Sequence, residues 1–437
     1  MEKVIAVVLT AILFLTVGGI SYSNDLDFEN RANTFVNLLA KGDFNEAEKF
    51  FSETVANALP TDALESAWGS ITATLGKFNS ILETKVTEYG EYKIVIVTCN
   101  FELGTLGIQI TFDKEAQIVG LYFLPPQFKA TYVPPSYANP NTFTEIELIV
   151  ETGDWKLSAI LTLPQKDKPC PAVVLVHGSG PQDRDETIGP NKPFKDLAWG
   201  LASRGIAVLR YEKRTKQYGG KSLKEGFTVN EETIEDAISA VELLLQRKEI
   251  DESKIFLLGH SLGGMLAPRI VMNTGRLKGI IMLAGTIRDL LDLIARQTKY
   301  LASLDDKIDE KEAKQIEDVE NEVNIIRSLK IEKNENILGA PGSYWLDLMN
   351  YNPLETAKKL NIPILILQGD RDYQVTVEDF KGWQEGLKSK DKVTFKLYRG
   401  LNHLFMHGDG KPNPDEYYKV GNVSQEVIED IAEWIRK

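Results

Sequence analysis

Residues 255–264 read Ile-Phe-Leu-Leu-Gly-His-Ser-Leu-Gly-Gly, and no other stretch limits the fold so tightly. Four apolar residues have the length of a short buried strand. They run straight into Gly259, His260, Ser261, Leu262 and Gly263, a G-x-S-x-G pattern. A serine on a sharp strand-to-helix turn sits in a strained backbone with its hydroxyl pushed off the sheet. Side chains two residues before and two after would collide with the turn, so both positions are glycine. A helix predicted from about Leu262 to Asn273 directs its positive N-terminal end at that serine.

The rest of the chain must supply a sheet for this strand. Its 437 residues, 43% hydrophobic and 26% charged, suffice for two or three domains of ordinary globular composition. A net charge of −13 argues against a nucleic-acid binder, which would carry a basic excess. The two cysteines, Cys99 and Cys170, are too few for a disulfide scaffold and read as buried thiols.

Residues 1–23 read as a signal peptide or N-terminal anchor. Lys3 precedes an apolar run from Val4 to Val17, and Ser21-Tyr22-Ser23 offers small residues for cleavage. The run is shorter than a comfortable membrane span. The working part is therefore expected outside the cytoplasmic membrane, secreted or held in the cell envelope. Any membrane association would come through this segment if it is not cleaved.

Residues 26–128 form a small α+β domain on periodicity. Phe28, Ala32, Phe35, Val36 and Leu39 recur at helical spacing, Gly42-Asp43 breaks the run, and a further helix is predicted over Thr61–Leu75. The period then changes to two, with strands predicted over Ile81–Glu88, Tyr92–Leu103, Leu106–Asp113 and Ile118–Leu124. Helices followed by a meander are similar to the nuclear-transport-factor-two-like folds. This segment has no histidine and no clustered carboxylates, so it is read as a spacer or docking domain. Residues 129–142, with Pro134, Pro135 and Pro140, are a proline-rich linker.

Residues 143–437 alternate strand with helix. A hairpin over Thr144–Glu151 and Lys156–Leu163 comes first. Strands over Ala172–His177, Ile206–Tyr211, Lys254–Gly259, Gly279–Ala284, Ile362–Gln368 and Val393–Tyr398 follow, separated by helical patterns. The near-continuous apolar runs are those of strands buried on both faces. An opening hairpin, eight strands, and a G-x-S-x-G after the fifth strand resemble the α/β-hydrolase superfamily of serine esterases. The expected architecture is a mostly parallel eight-stranded sheet with a helical lid insertion. Together with Gln182-Asp183-Arg184-Asp185-Glu186 and Arg210-Tyr211-Glu212-Lys213-Arg214, the chain is similar to secreted bacterial esterases of the EstD type, which also carry a small N-terminal domain.

A serine hydroxyl needs a base near neutral pH, so a histidine. The chain has four. His260 lies inside the turn and His177 in His-Gly-Ser-Gly after the third strand. His403, just past the last strand, stands where the resemblance implies the base, with His407 the alternative. The segment Gly369-Asp370-Arg371-Asp372-Tyr373-Gln374-Val375 resembles the superfamily's G-x-x-D-x-x-V. That implies Asp372 as the orienting acid, with Asp370 its rival. Backbone N–H groups of Leu262 and of the loop after the third strand, Ser179 first and Gly180 next, are implied for the oxyanion. Arg184 is read as tying down its loop.

Between the sixth and seventh strands lies an insertion too long for a crossover, and the lid is expected over about residues 286–360. Helices are predicted over Ile287–Leu304 and Asp306–Leu329, the second with Ile308, Ile316, Val319, Val323, Ile326 and Leu329 on one face. Tyr344, Trp345 and Met349 are candidate liners of a substrate pocket, or else pack the insertion onto the core.

The expectation is a serine carboxylesterase that acts on a small-molecule ester with short-to-medium acyl chains, with no cofactor or metal. Oligomeric state is not legible. The rivals are a peptidase or acyltransferase on the same three residues, a metallohydrolase using His403 and His407, and a non-catalytic binding module.

Overall fold

The computed structural model describes residues 25–124, 126–128 and 132–437, so the expected leader lies outside the described residues. The chain divides into two compact units between Thr131 and Tyr132. Among the described residues, no helix is long and apolar enough to cross a membrane.

In the first unit the helices come before the sheet. Asp25–Lys41 ends at Gly42, whose φ of +79° suits a residue without Cβ, and Phe44–Glu48 follows. Glu53–Ala58 is an additional helix that periodicity did not reveal, because six residues make too few turns for a stripe. Ser52 caps it by accepting a hydrogen bond from the Val55 N–H. After Thr61–Leu75 the strands Phe78–Tyr89, Tyr92–Phe101, Gly104–Phe112 and Ile118–Phe123 pair in sequence order as an antiparallel meander. The inward residues Val95, Val97, Cys99 and Phe101 meet Phe35, Val36 and Leu39 of the first helix in one core. Burial there pushes the free Cys99 thiol up to about 12.

The second unit is a twisted eight-stranded sheet between helices. Its strands are β1 (Phe143–Thr152), β2 (Trp155–Pro164), β3 (Cys170–Val176), β4 (Ala207–Tyr211), β5 (Ile250–His260), β6 (Gly279–Leu283), β7 (Ile364–Gly369) and β8 (Val393–Tyr398). They lie in the order β8-β7-β6-β5-β3-β4-β2-β1. β1 pairs with β2 and β2 with β4 antiparallel; every other neighbouring pair is parallel. β3, β6 and β7 are buried along almost their whole length, as helices on both faces require. Residues flanking a parallel strand's carboxyl end converge on one edge of the sheet, where open α/β sheets place their sites.

Two expectations change on the structure. The later half of the proline-rich stretch belongs to the second unit: the Tyr132 hydroxyl donates to Asp196 at 2.7 Å and the Tyr137 hydroxyl to the Val423 carbonyl at 2.7 Å. The insertion does hold helices, Leu290–Ala302 and Glu310–Arg327, but the expected stripe of the second is cut at both ends. Val323 and Ile326 are buried, whereas Ile308 precedes the helix and Leu329 follows it, both exposed. Asp309 explains the start, because it caps the helix in a capping box with Glu312.

Candidate active site

The turn after β5 has the strain its sequence implies. Ser261 sits at φ +52°, ψ −115°, a conformation that costs a residue with a Cβ about 1–3 kcal/mol. It is held by its N–H donating to the Leu283 carbonyl at 2.9 Å and its carbonyl accepting from Met265 N–H at 2.9 Å. A Cβ on Gly259 would fall 2.2 Å from the Gly263 carbonyl oxygen. One on Gly263 would fall 2.3 Å from that of Val176. Both obstacles are backbone, so neither can move aside. Ser261 also stands at the N-cap position of the helix Leu262–Thr274 without capping it through its side chain, and the first N–H groups of that helix have no partner within it. The Leu262 N–H is one of these.

His177-Gly178-Ser179-Gly180 leaves the carboxyl end of the neighbouring β3. A Cβ on Gly178 would stand 3.3 Å from the Ser261 Cβ, so this loop abuts the serine. Ser179 is exposed, and Gly180 turns the chain at φ +79°. The His177 ring is buried between Phe194 and Tyr211, and burial lowers its pKa to about 4.

Asp372 and His403 meet across the carboxyl ends of β7 and β8. His403 Nδ1 lies 2.7 Å from Asp372 Oδ2, with 4% and 5% of these residues exposed. The carboxylate is fixed on every side. Oδ1 accepts from the N–H groups of Gln374 and Val375 at 2.9 and 3.0 Å, and Oδ2 accepts from Gln368 Nε2 at 3.1 Å. A donated Nδ1–H leaves Nε2 as the basic nitrogen of His403. The rivals lie elsewhere. Asp370 is exposed and accepts the Gly400 N–H at 2.7 Å, and His407 is exposed on a backbone bridge to Leu401.

His260 joins the two halves. Its Nε2 is 2.9 Å from the His403 carbonyl, and its ring centroid is 4.6 Å from that of His403. Its Nδ1 is 3.0 Å from Glu186 Oε2. Burial by itself would lower the His260 pKa, but the Glu186 charge and hydrogen bond, the His403 carbonyl and the Asp372 charge together outweigh it, and the net shift is upward. Glu186 moves the opposite way: burial raises it, and His260 with the Gly178 N–H brings it below its usual value.

The last two residues of the polar run 182–186 are interior, with Glu186 1% and Asp185 8% exposed. Arg210 is buried against Asp185 and Glu145, while Arg184 pairs with Glu212 at 3.6 Å. Tyr344 and Trp345 are 6% and 3% exposed; the first donates its hydroxyl to Glu232, the second its Nε1–H to the Ile337 carbonyl. Met349 packs part-buried on the same core. Sequence reasoning gave no role to Glu186, Lys213, Glu232 or Asn402. Asn402 shapes the histidine loop by accepting the N–H groups of Leu404 and Met406. An Asn beside a candidate histidine was the available signal. Among the described residues, no group of three or more His, Cys, Asp or Glu is arranged to hold a metal.

Residues 167–409 match the family described as serine aminopeptidase, S33, and residues 32–121 match a family described as a protein of unknown function, DUF3887. Among solved structures, Est1E from Butyrivibrio proteoclasticus is similar at 19% identity and a TM-score of 0.44, covering 67% of this chain and 99% of its own. The Pyrococcus furiosus esterase PF2001 is similar at 18% and 0.45, covering 70% and 96%. Esterase EstD of Thermotoga maritima is 40% identical over 413 residues, 94% of this chain and 96% of its own. With that identity along nearly the whole of both chains, this chain belongs to the EstD esterase family of serine hydrolases.

Proposed function

We propose that the chain is a carboxylesterase in which Ser261 is the nucleophile, His403 the base and Asp372 the group that orients it. The observation that carries this reading is the buried 2.7 Å contact between His403 Nδ1 and Asp372 Oδ2, in a loop that a 2.9 Å contact ties to His260, the residue before the strained Ser261. Ser261 Oγ attacks the ester carbonyl as its proton passes to His403 Nε2. The N–H groups of Leu262 and Ser179 hold the oxyanion. Collapse of the tetrahedral adduct breaks the C–O bond, and the imidazolium gives its proton to the leaving alkoxide. Water, deprotonated by His403, then attacks the acyl-enzyme and releases the acid and free Ser261.

The substrate class proposed is small esters with short-to-medium acyl chains, with residues 286–360 as the lid. The apolar segment Val4–Val17 supports a position outside the cytoplasmic membrane. The N-terminal sequence of the mature enzyme tests that placement.

Labelling with a fluorophosphonate tests the chemistry. The expected result is one adduct, mapped by mass to Ser261, with ester hydrolysis lost in proportion. An unlabelled serine in an active preparation would end the reading. The description of the matched family as an aminopeptidase favours peptide hydrolysis as the second reading. Nitrophenyl esters set against aminoacyl anilides separate the two.

A further inference from the structure

Lys213 is 2% exposed, yet its position in Arg-Tyr-Glu-Lys-Arg suggests a solvated loop. Its Nζ donates to the Gly178 carbonyl at 2.7 Å and to Glu232 Oε1 at 2.6 Å. Its backbone N–H donates to the Gln182 carbonyl at 3.1 Å. The side chain and backbone of one residue thus bracket the loop that abuts Ser261.

The Gly178 carbonyl belongs to the same peptide group as the Ser179 N–H. A cation on the oxygen of an amide draws electron density toward it and makes the N–H a stronger donor. It also fixes the plane of the peptide, and so the direction in which the N–H points. The preceding N–H, that of Gly178, is held at 2.8 Å by Glu186 Oε1, so Gly178 is pinned at both ends. The ammonium is itself anchored. Glu232 lies in the π-helical turn Asn230–Ile234, and its other oxygen accepts the Tyr344 hydroxyl at 2.8 Å. A line of contacts runs from the helix Gly342–Met349 to the oxyanion loop.

We propose that Lys213 is a positioning residue for the reaction, orienting and polarising the Gly178–Ser179 peptide so that the Ser179 N–H meets the transition-state oxyanion. The inference rests on the esterase reading above. A preorganised donor acts on charge that develops only in the transition state, so its loss lowers kcat and leaves KM in place.

Replacing Lys213 alone would strand Glu232 as a buried charge, so the main variant is Lys213→Met combined with Glu232→Gln. The glutamine keeps an acceptor for Tyr344. On a nitrophenyl ester, kcat should fall about tenfold to a hundredfold with KM unchanged. The affinity for a trifluoromethyl ketone, which forms a tetrahedral oxyanion on the serine, should fall by the same factor. A folded double variant with wild-type kcat and wild-type ketone affinity overturns the proposal. So does a rise in KM with ketone affinity retained, the mark of a merely structural role. The wild-type enzyme gives a reading that needs no variant to fold. The Ser179 amide nitrogen should resonate downfield, as a charged donor on its own peptide carbonyl requires. A random-coil position for that resonance overturns the proposal as well. Ser261→Ala keeps the two readings apart: if it still turns over ester, the esterase mechanism falls. If it is inert while the double variant is fully active, only the role of Lys213 falls.

Discussion

His260 Nε2 lies 2.9 Å from the backbone carbonyl of His403, a residue 143 positions further along the chain. The residue before the proposed nucleophile therefore holds the loop of the proposed base. With Nε2 donating to that carbonyl, the Glu186 carboxylate 3.0 Å from Nδ1 favours the doubly protonated ring.

A pH dependence follows from that protonation. Glu186, lowered from its ordinary 4.5, contributes stability that is present above 4.5 and lost as pH falls through its depressed value. His260, raised from 6.5, contributes stability that is complete below 6.5 and lost as pH rises through its raised value. The pair is worth most between these ordinary values. Glu186→Gln should cost about 2 kcal/mol in that window, or about 4 °C in Tm. The gap to wild type should close as pH climbs past the raised value of His260. Thermal melts from pH 5 to 9 check this, and a gap that does not change with pH would contradict it.

The strain at Ser261 separates two inactive variants. Ser261→Ala and Ser261→Gly should each lower turnover by at least about 10⁴-fold. The glycine also relieves a positive φ that alanine keeps. Relief of about 1–3 kcal/mol, less the entropy of about 0.5–1 kcal/mol that glycine loses on folding, leaves the glycine variant melting about 2 °C higher than alanine. Calorimetry on the two proteins decides, and equal midpoints would show a relaxed turn.

What the sequence disclosed and what it hid divide along a physical line. Buried parallel strands are apolar runs, and a turn that admits only glycine is written as glycine, so the sheet and the bend at Ser261 were legible. Asp372 and His403 were proposed from the resemblance, which implies an acid and a base in the loops after the last two strands, and these two side chains lie 2.7 Å apart. Glu186, Lys213 and Glu232 were not found. A charge is buried only when a partner neutralises it, and the partners here are remote in sequence. Arg210 near the end of β4 and Lys213 and Arg214 just past it make a basic cluster in sequence, yet each is 1% or 2% exposed and paired with carboxylates from other elements. Tyr344 was read as a pocket liner or as packing the insertion onto the core, and it sits in that core with its hydroxyl tied to Glu232.

The boundary at Tyr132 predicts where a catalytic fragment can begin. Residues 132–437 hold their own core and every proposed catalytic group. That fragment should hydrolyse ester within the same order of magnitude as the full chain. A fragment starting at Phe143 loses the Tyr132 bond to Asp196 and the Tyr137 bond to Val423, each about 1 kcal/mol. It should melt several degrees lower than the longer fragment. Matching melts would show that residues 132–142 contribute nothing.

The two aspartates that follow β7 are distinguished by what each would do as an amide. In Asp372→Asn, Oδ1 can still accept from the N–H groups of Gln374 and Val375, so the turn survives. The amide nitrogen then replaces Oδ2 and faces two donors, Gln368 Nε2 and the His403 Nδ1–H. His403 escapes the conflict by moving its proton to Nε2, the atom that must accept from Ser261. Turnover should fall about 10⁴-fold with KM little changed. Asp370 is exposed, and its one described role is to accept the Gly400 N–H, which an asparagine oxygen does equally well. Asp370→Asn should therefore leave turnover near wild type and shift stability by less than about 0.5 kcal/mol. Steady-state kinetics on the two variants settle the assignment, and the reverse ranking would transfer the acid to Asp370.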